Sequence, residues 1–132
     1  MNRGTLVLAL ALGLLPAVGA QAHHSFQATY QTDQVVTIKG KLVQFLFRNP
    51  HSFVHVMAPD ENGDMQRWGI EWGGASALGR QGVARDTLRV GDEVIITGNP
   101  GRNPSDHRIR MQTLVRPSDG FGWGHKPEEV IE

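Results

Sequence analysis

An all-β domain of five strands and one short helix is the fold class that the sequence predicts. Several segments alternate apolar and polar residues with a period of two, the pattern of strands that bury one face. Turn-forming residues separate these segments at short intervals. Only one internal stretch lacks strand signals, and it has room for a single short helix.

The first strand is expected over residues 35–47, where Gly40 permits a bend or a bulge. Arg48-Asn49-Pro50 ends it, because proline cannot donate a hydrogen bond to a sheet. Residues 51–58 form the second expected strand, and residues 59–64 the hairpin turn that follows it.

The third strand is expected over residues 65–72, and its alternation assigns two different faces. One face holds Trp68, Ile70 and Trp72, and the other holds Arg67, Gly69 and Glu71. We expect the face with two tryptophans to be buried, because a small domain needs its large apolar residues inside.

A short helix is expected over residues 76–81, followed by strands at 94–97 and 109–115. The order of three strands, a helix and two strands is that of the oligonucleotide or oligosaccharide binding (OB) type of barrel. A helix at that point would plug one end of the barrel. An open five-stranded sandwich is the alternative that periodicity leaves open.

The chain begins with the pattern of a cleaved secretory signal peptide. Arg3 gives a positive start, residues 6–15 are apolar, and Ala20-Gln21-Ala22 has the small residues of a cleavage site. This predicts a signal peptide over residues 1–22 and a periplasmic protein with no membrane span after its removal. The competing cut after Ala20 would leave Gln21 as the first residue.

The mature chain is then a single domain over residues 23–116, a polar lead-in included, with a flexible tail at residues 117–132. The whole chain has 13 basic and 13 acidic residues, and the signal peptide carries one basic residue, which leaves 12 against 13. Such a balance argues against binding to nucleic acid or anionic lipid. With no cysteine, any metal site must use nitrogen and oxygen ligands.

Cleavage before His23 would place a histidine at the N-terminus, where its free amine and imidazole can chelate one ion. That ligand pair suits copper best among the common divalent metals. His51 follows the Asn49-Pro50 turn and could add a second imidazole if the N-terminus folds back. His24 and Glu71 are the remaining candidates, Glu71 as an axial ligand or as the carboxylate that orients an imidazole. The alternatives are a mobile terminus, a turn histidine, and pairing of Glu71 with Arg67 or Arg80.

His55 shares a strand face with His51, but four residues of strand separate them by about 13 Å, too far for one ion. Residues 106 and 107 in a polar loop, and His125 in the tail, have no evident ligand partners.

Five segments together resemble a family of small exported bacterial proteins of unknown function. These segments are His23-His24-Ser25-Phe26, Asn49-Pro50-His51, Trp68 to Glu71 with Gly73-Gly74, Leu78 with Arg80 and Gly82, and Gly91-Asp92. The resemblance implies export and a small β-barrel and brings no activity with it. Two positions depart from the family pattern. The family usually has an aromatic residue where this chain has Val83, and a residue other than histidine where it has His55.

Two functions are therefore expected. The first is a metal-binding module, for copper, that captures, buffers or delivers the ion; an oxidase that activates oxygen with the same ligands is left open, without a substrate platform to support it. The second is a non-enzymatic OB-like module that binds a periplasmic partner protein or a small ligand. No serine or carboxylate pair stands in a context that indicates catalysis.

Overall fold

A computed structural model describes residues 26–124 of the chain. Its elements are α1 (Phe26–Thr29), β1 (Val36–Leu46), β2 (Phe53–Pro59), β3 (Met65–Glu71), α2 (Ala75–Arg80), β4 (Glu93–Pro100), a 3₁₀ turn (Pro104–Asp106), β5 (Arg108–Arg116) and β6 (Phe121–Trp123). The predicted signal peptide, His23, His24 and His125 lie outside the described residues.

The five principal strands form a closed barrel. Antiparallel neighbours run in the order β3-β2-β1-β4-β5, and a parallel pairing of β3 with β5 closes the ring. Only three residue pairs make this closure, from Gly69 opposite Arg108 to Glu71 opposite Arg110. The structure confirms the OB-type barrel and rules out the open sandwich.

The core lies inside the barrel and under α2. Ile70 and Trp72 are buried and Trp68 is half-buried, so the predicted inner face of the third strand is confirmed. Leu78 of α2 is 1% exposed and belongs to the same cluster. The short helix therefore covers part of the core, as its place in the chain predicted.

The bulge in β1 lies between Leu42 and Gln44, where the register with β2 shifts, and not at Gly40 as expected. A Cβ at Gly40 would collide with the carbonyl oxygen of Met57. The glycine therefore permits a close approach of β1 and β2, and the bend occurs elsewhere.

Two elements lie in segments expected to be irregular. Residues 26–29 form α1, where only a polar lead-in was expected. The expectation of a loosely held tail from residue 117 missed β6, which pairs with the end of β5. Trp123 of β6 packs edge-on against Trp72 at 5.2 Å, and its Nε1 donates to Oε1 of Gln81 at 2.7 Å. The packing of Trp123 on Trp72 thus holds β6 in place although Gly122 and Gly124 flank this tryptophan.

Strand β2 begins at Phe53, two residues later than expected. His51 therefore lies in the loop between β1 and β2 and not on a strand. Among residues 26–124, no helix has the length and apolar character needed to cross a bilayer.

Candidate functional site

A pocket of about 490 Å³ opens between α1, the β1–β2 loop, and the ends of β3 and β5 that meet at the barrel closure. It is lined by Phe26, Thr29, Tyr30, Arg48, Asn49, Pro50, His51, Phe53, Glu71 and Arg108. Two of the residues that the sequence singled out, His51 and Glu71, are among them. The pocket has the size typical of sites for small molecules.

His51 and Glu71 contact each other directly in this pocket. The Nδ1 of His51 lies 3.0 Å from Oε1 of Glu71, with the imidazole 40% exposed and the carboxylate 14% exposed. Within residues 26–124, the Nε2 of His51 has no hydrogen-bond partner. A carboxylate on one ring nitrogen fixes the tautomer and orientation, which leaves the other nitrogen as the available lone pair.

The second oxygen of Glu71 is held by Tyr30. The Tyr30 hydroxyl donates to Oε2 of Glu71 at 2.5 Å, and the Tyr30 side chain is almost completely buried. Burial, together with the adjacent carboxylate, raises the pKa of the Tyr30 phenol well above its ordinary value. The phenol therefore stays a hydrogen-bond donor, and Tyr30, Glu71 and His51 form a continuous chain of contacts.

The arginine next to Glu71 is Arg108, so the simpler expectation of pairing with Arg67 or Arg80 is wrong. Nη2 of Arg108 lies 3.8 Å from Oε2 of Glu71, whereas Nη2 of Arg67 donates to Oε1 of Gln44. The reason lies in the barrel closure, which places β5 beside β3 and brings Arg108 to Glu71.

The loop that carries His51 is fixed from both sides. The buried Ser52 hydroxyl donates to the carbonyl oxygen of Arg48 and accepts from its backbone N–H. On the other side, the Asn49 side chain donates to the hydroxyl of Ser76 and accepts from the Ser76 backbone N–H at the start of α2. A Cβ at Gly74 would collide with the carbonyl oxygen of Pro50, so the loop and α2 pack closely there. His51 is therefore presented from a rigid loop.

The first described residues of the chain lie against His51. The rings of Phe26 and His51 pack edge to face at 6.0 Å, and the guanidinium of Arg110 lies 3.5 Å above the Phe26 ring. A backbone bridge between Tyr30 and Gly101 holds the end of α1 to the barrel. The segment entering the barrel is thus positioned beside the pocket.

His55 takes no part in this pocket. It lies in β2 opposite Gln44 and Gly69. Burial, then the charges of Arg67 and Arg48, lower the pKa of the His55 imidazole. The sequence had set this residue aside as a ligand, and the structure places it outside the pocket residues.

His107 lies in a second groove, together with Trp68 and Asp60. Its ring packs edge-on against Trp68 at 5.2 Å, and its Nε2 lies 3.9 Å from Oδ2 of Asp60. Among residues 26–124, no group of three or more histidine, aspartate and glutamate side chains has the arrangement of a metal site. The described residues thus offer one imidazole and one carboxylate at the pocket.

The pocket residues that the sequence did not assign to a site include Phe26, Tyr30, Arg48 and Arg108. Tyr30 is separated from Glu71 by 41 residues, so no local pattern joins them. A lone tyrosine that follows the predicted signal peptide and an arginine at a strand end are both ordinary surface residues in a sequence. Only the parallel closure of the barrel and the return of the lead-in segment make them neighbours.

Fold and pocket together define a class: a small OB-type barrel with a pocket in which a carboxylate holds a histidine. The model of a family of unknown function, DUF6152, matches residues 13–110, most of the chain. The protein belongs to that family, as the sequence resemblance indicated. No curated protein matches the chain.

Proposed function

We propose that the protein is a periplasmic copper-binding module that captures, buffers or delivers the ion. The observation that carries this proposal is the His51–Glu71 pair, with 3.0 Å between Nδ1 and Oε1. Such a carboxylate fixes the orientation of the imidazole and directs its Nε2 toward a ligand. Neutral imidazole is a preferred ligand of copper.

One imidazole is too few for tight binding, and the N-terminus supplies the remaining donors in this proposal. Three peptide units span at most about 11 Å, so His23 is tied that closely to Phe26. The Phe26 ring in turn packs against His51. If the mature chain begins at His23, its amine and imidazole are within reach of the Nε2 of His51. His24 is a further candidate ligand, and Glu71 orients His51.

The proposed set of one amine and two imidazoles suits the tetragonal geometry of Cu(II). Tyr30 contributes indirectly, because it occupies the second oxygen of Glu71 and leaves the first for His51. The periplasmic location rests on the predicted signal peptide. The proposed role is binding, for which His51 supplies the ligand nitrogen and Glu71 the carboxylate that orients it.

The test has two parts. Native mass spectrometry of the protein purified from a copper-supplied periplasm identifies the first residue of the mature chain and the bound mass. Copper titration of the mature protein then measures its affinity. We expect a chain that begins at His23 and carries one copper ion. His51→Ala should weaken copper binding by about 100-fold or more, since a lost ligand costs at least as much as a lost supporting contact.

The matched control is His55→Ala, which removes a histidine from the neighbouring strand but not from the pocket. It should leave copper affinity unchanged. Equal affinities for the two variants, or a metal-free chain that begins at His23, would falsify the copper proposal.

The second candidate is a non-enzymatic module that binds a partner protein or small ligand at the barrel. It is favoured by the pocket itself, which has aromatic walls and the volume of a small-molecule site. In that case, copper affinity would be weak and unaffected by substitution at His51.

A further inference from the structure

The pocket that contains His51 is lined by more arginines than carboxylates. Arg48 and Arg108 both line it, and Glu71 is the single carboxylate among its lining residues. Glu71 is already engaged by Tyr30 and His51. Among the described residues that line the pocket, two arginines therefore accompany one carboxylate that already has partners.

Within residues 26–124, the guanidiniums of Arg48 and Arg108 are held mainly by contacts with aromatic rings, and Arg108 also lies near Glu71. In the part of the chain that the structure describes, neither Arg48 nor Arg108 makes a side-chain hydrogen bond, and the 3.8 Å from Arg108 to Glu71 exceeds hydrogen-bond length. Instead they pack on aromatic rings, Arg48 at 5.4 Å from the Phe53 centroid and Arg108 at 5.7 Å from that of Tyr30. A guanidinium packed against a ring keeps N–H donors for a carboxylate or phosphate.

The backbones that carry these two arginines are fixed. The carbonyl oxygen of Arg48 accepts from the backbone N–H of Ala75 at 3.0 Å and from the Ser52 hydroxyl at 3.1 Å. Arg108 pairs with Gly69 in the barrel closure, and its carbonyl oxygen accepts from the N–H of Gly101 at 2.8 Å. Fixed backbones reduce the entropy lost when a ligand binds.

We propose that this pocket binds a small organic carboxylate. Arg48 and Arg108 would hold the carboxylate group through charge-assisted hydrogen bonds. Its apolar body would cover the rings of Phe26 and Phe53, which also line the pocket. An inorganic oxyanion fits the guanidiniums but makes no contact with the exposed parts of these two half-buried rings, so the aromatic walls favour the organic ligand. This inference does not depend on the copper proposal, because it uses neither the N-terminus nor His51.

The experiment is an NMR titration of the chelator-treated, metal-free protein with benzoate, with benzamide and inorganic phosphate as parallel probes. Benzamide has the same ring and no charge, and phosphate has charge and no ring. We expect benzoate to shift backbone resonances of residues that line the pocket and to bind about tenfold or more tightly than either.

Arg108→Gln should weaken benzoate binding by about tenfold, since it removes a charged donor. The matched control is Arg85→Gln, because Arg85 also packs against a ring, that of Phe47 at 5.9 Å, but does not line the pocket. Arg85→Gln should leave binding unchanged. A folded spectrum of each variant, recorded without ligand, separates loss of binding from loss of structure.

The proposal is overturned if benzamide binds as well as benzoate, if phosphate binds equally well, or if millimolar benzoate shifts no pocket resonance. It is also overturned if Arg108→Gln and Arg85→Gln behave alike. The copper proposal is judged separately, because benzoate binding is measured on metal-free protein and copper binding by metal titration. If the protein binds benzoate but not copper, only the copper proposal is contradicted. If it binds copper but not benzoate, only the carboxylate proposal is contradicted.

Discussion

Two recesses of similar volume, about 490 and 460 Å³, each place a histidine near a carboxylate, yet the two pairs differ in kind. In the pocket, His51 lies 3.0 Å from Glu71. In the groove, His107 lies 3.9 Å from Asp60. Only the first distance is a hydrogen bond.

The other hydrogen bonds of Asp60 and Glu71 explain the difference between the two pairs. Asp60 is occupied by its own hairpin, since Oδ1 accepts from the backbone N–H groups of Asn62 and Asp64 at 2.9 and 3.0 Å. His107 follows a 3₁₀ turn in the left-handed region, with φ of 45°, and rests on Trp68. Glu71 instead directs both oxygens to side chains of the pocket. The carboxylate of the candidate site is thus the one that is not part of a turn.

The largest effect that separates the two recesses should come from Glu71→Gln. Removing the charge next to His51 weakens the imidazole as a ligand, and we expect copper affinity to fall about 10- to 100-fold. Asp60→Asn is the equivalent change in the groove and should have no effect. Competition with a coloured copper chelator measures both. Equal losses would mean that the two carboxylates act alike.

Tyr30→Phe should give an intermediate effect, on stability. It keeps the buried ring but removes the donor to Glu71, and the expected loss in the free energy of unfolding is about 1–3 kcal/mol. Gln66→Met removes the side-chain donor to Asp60 in the groove and should cost about 0.5 kcal/mol or less. Urea unfolding compares the two. A smaller loss for Tyr30→Phe than for Gln66→Met would contradict a tightly held Glu71.

The smallest effect should be the part of the pH dependence of stability that Asp60 contributes in the groove. Desolvation raises the pKa of Asp60, but hydrogen bonds from Asp64, Asn62 and Gln66 outweigh it and hold the pKa below its ordinary value of 3.8. A carboxyl whose pKa is lower in the folded state stabilises the fold above its unfolded value and loses that contribution as pH falls through the folded value.

The wild-type protein should therefore melt above Asp60→Asn at neutral pH, and the difference should shrink as pH falls below 3.8. Thermal unfolding at several pH values measures it. A difference that stays constant down to the acid limit would show that the charge of Asp60 does not contribute.

The fold could be predicted from sequence because alternation reports directly on which strand face is buried. Ile70 and Trp72 fell on the inner face, and Glu71 on the other. The pocket could be predicted only in part. His51 and Glu71 stand out as chemistry-bearing residues, whereas Tyr30 and Arg108 acquire meaning only through contacts across 41 residues and across the parallel strand pair.

Short elements were the other failure. The four residues of α1 are too few to show helical periodicity, and β6 consists of Phe121, Gly122 and Trp123 between further glycines. Neither segment has a pattern of its own, and each is defined by what it packs against: His51 for the start of α1, and Trp72 for β6.

The three-pair closure between β3 and β5 has a dynamic consequence. It is the shortest ladder of the barrel, and the amide of Gly69 donates across it to the carbonyl oxygen of His107 at 2.9 Å. Sparse pairings open more readily than long ones. Glu71 lies on β3 and Arg108 on β5, the two strands that pair at the closure. Separation of these strands would therefore also separate the two sides of the pocket. A ligand that contacts both strands would slow hydrogen exchange of the backbone amides along the whole closure. The exchange rates of these amides would then show whether the pocket is occupied.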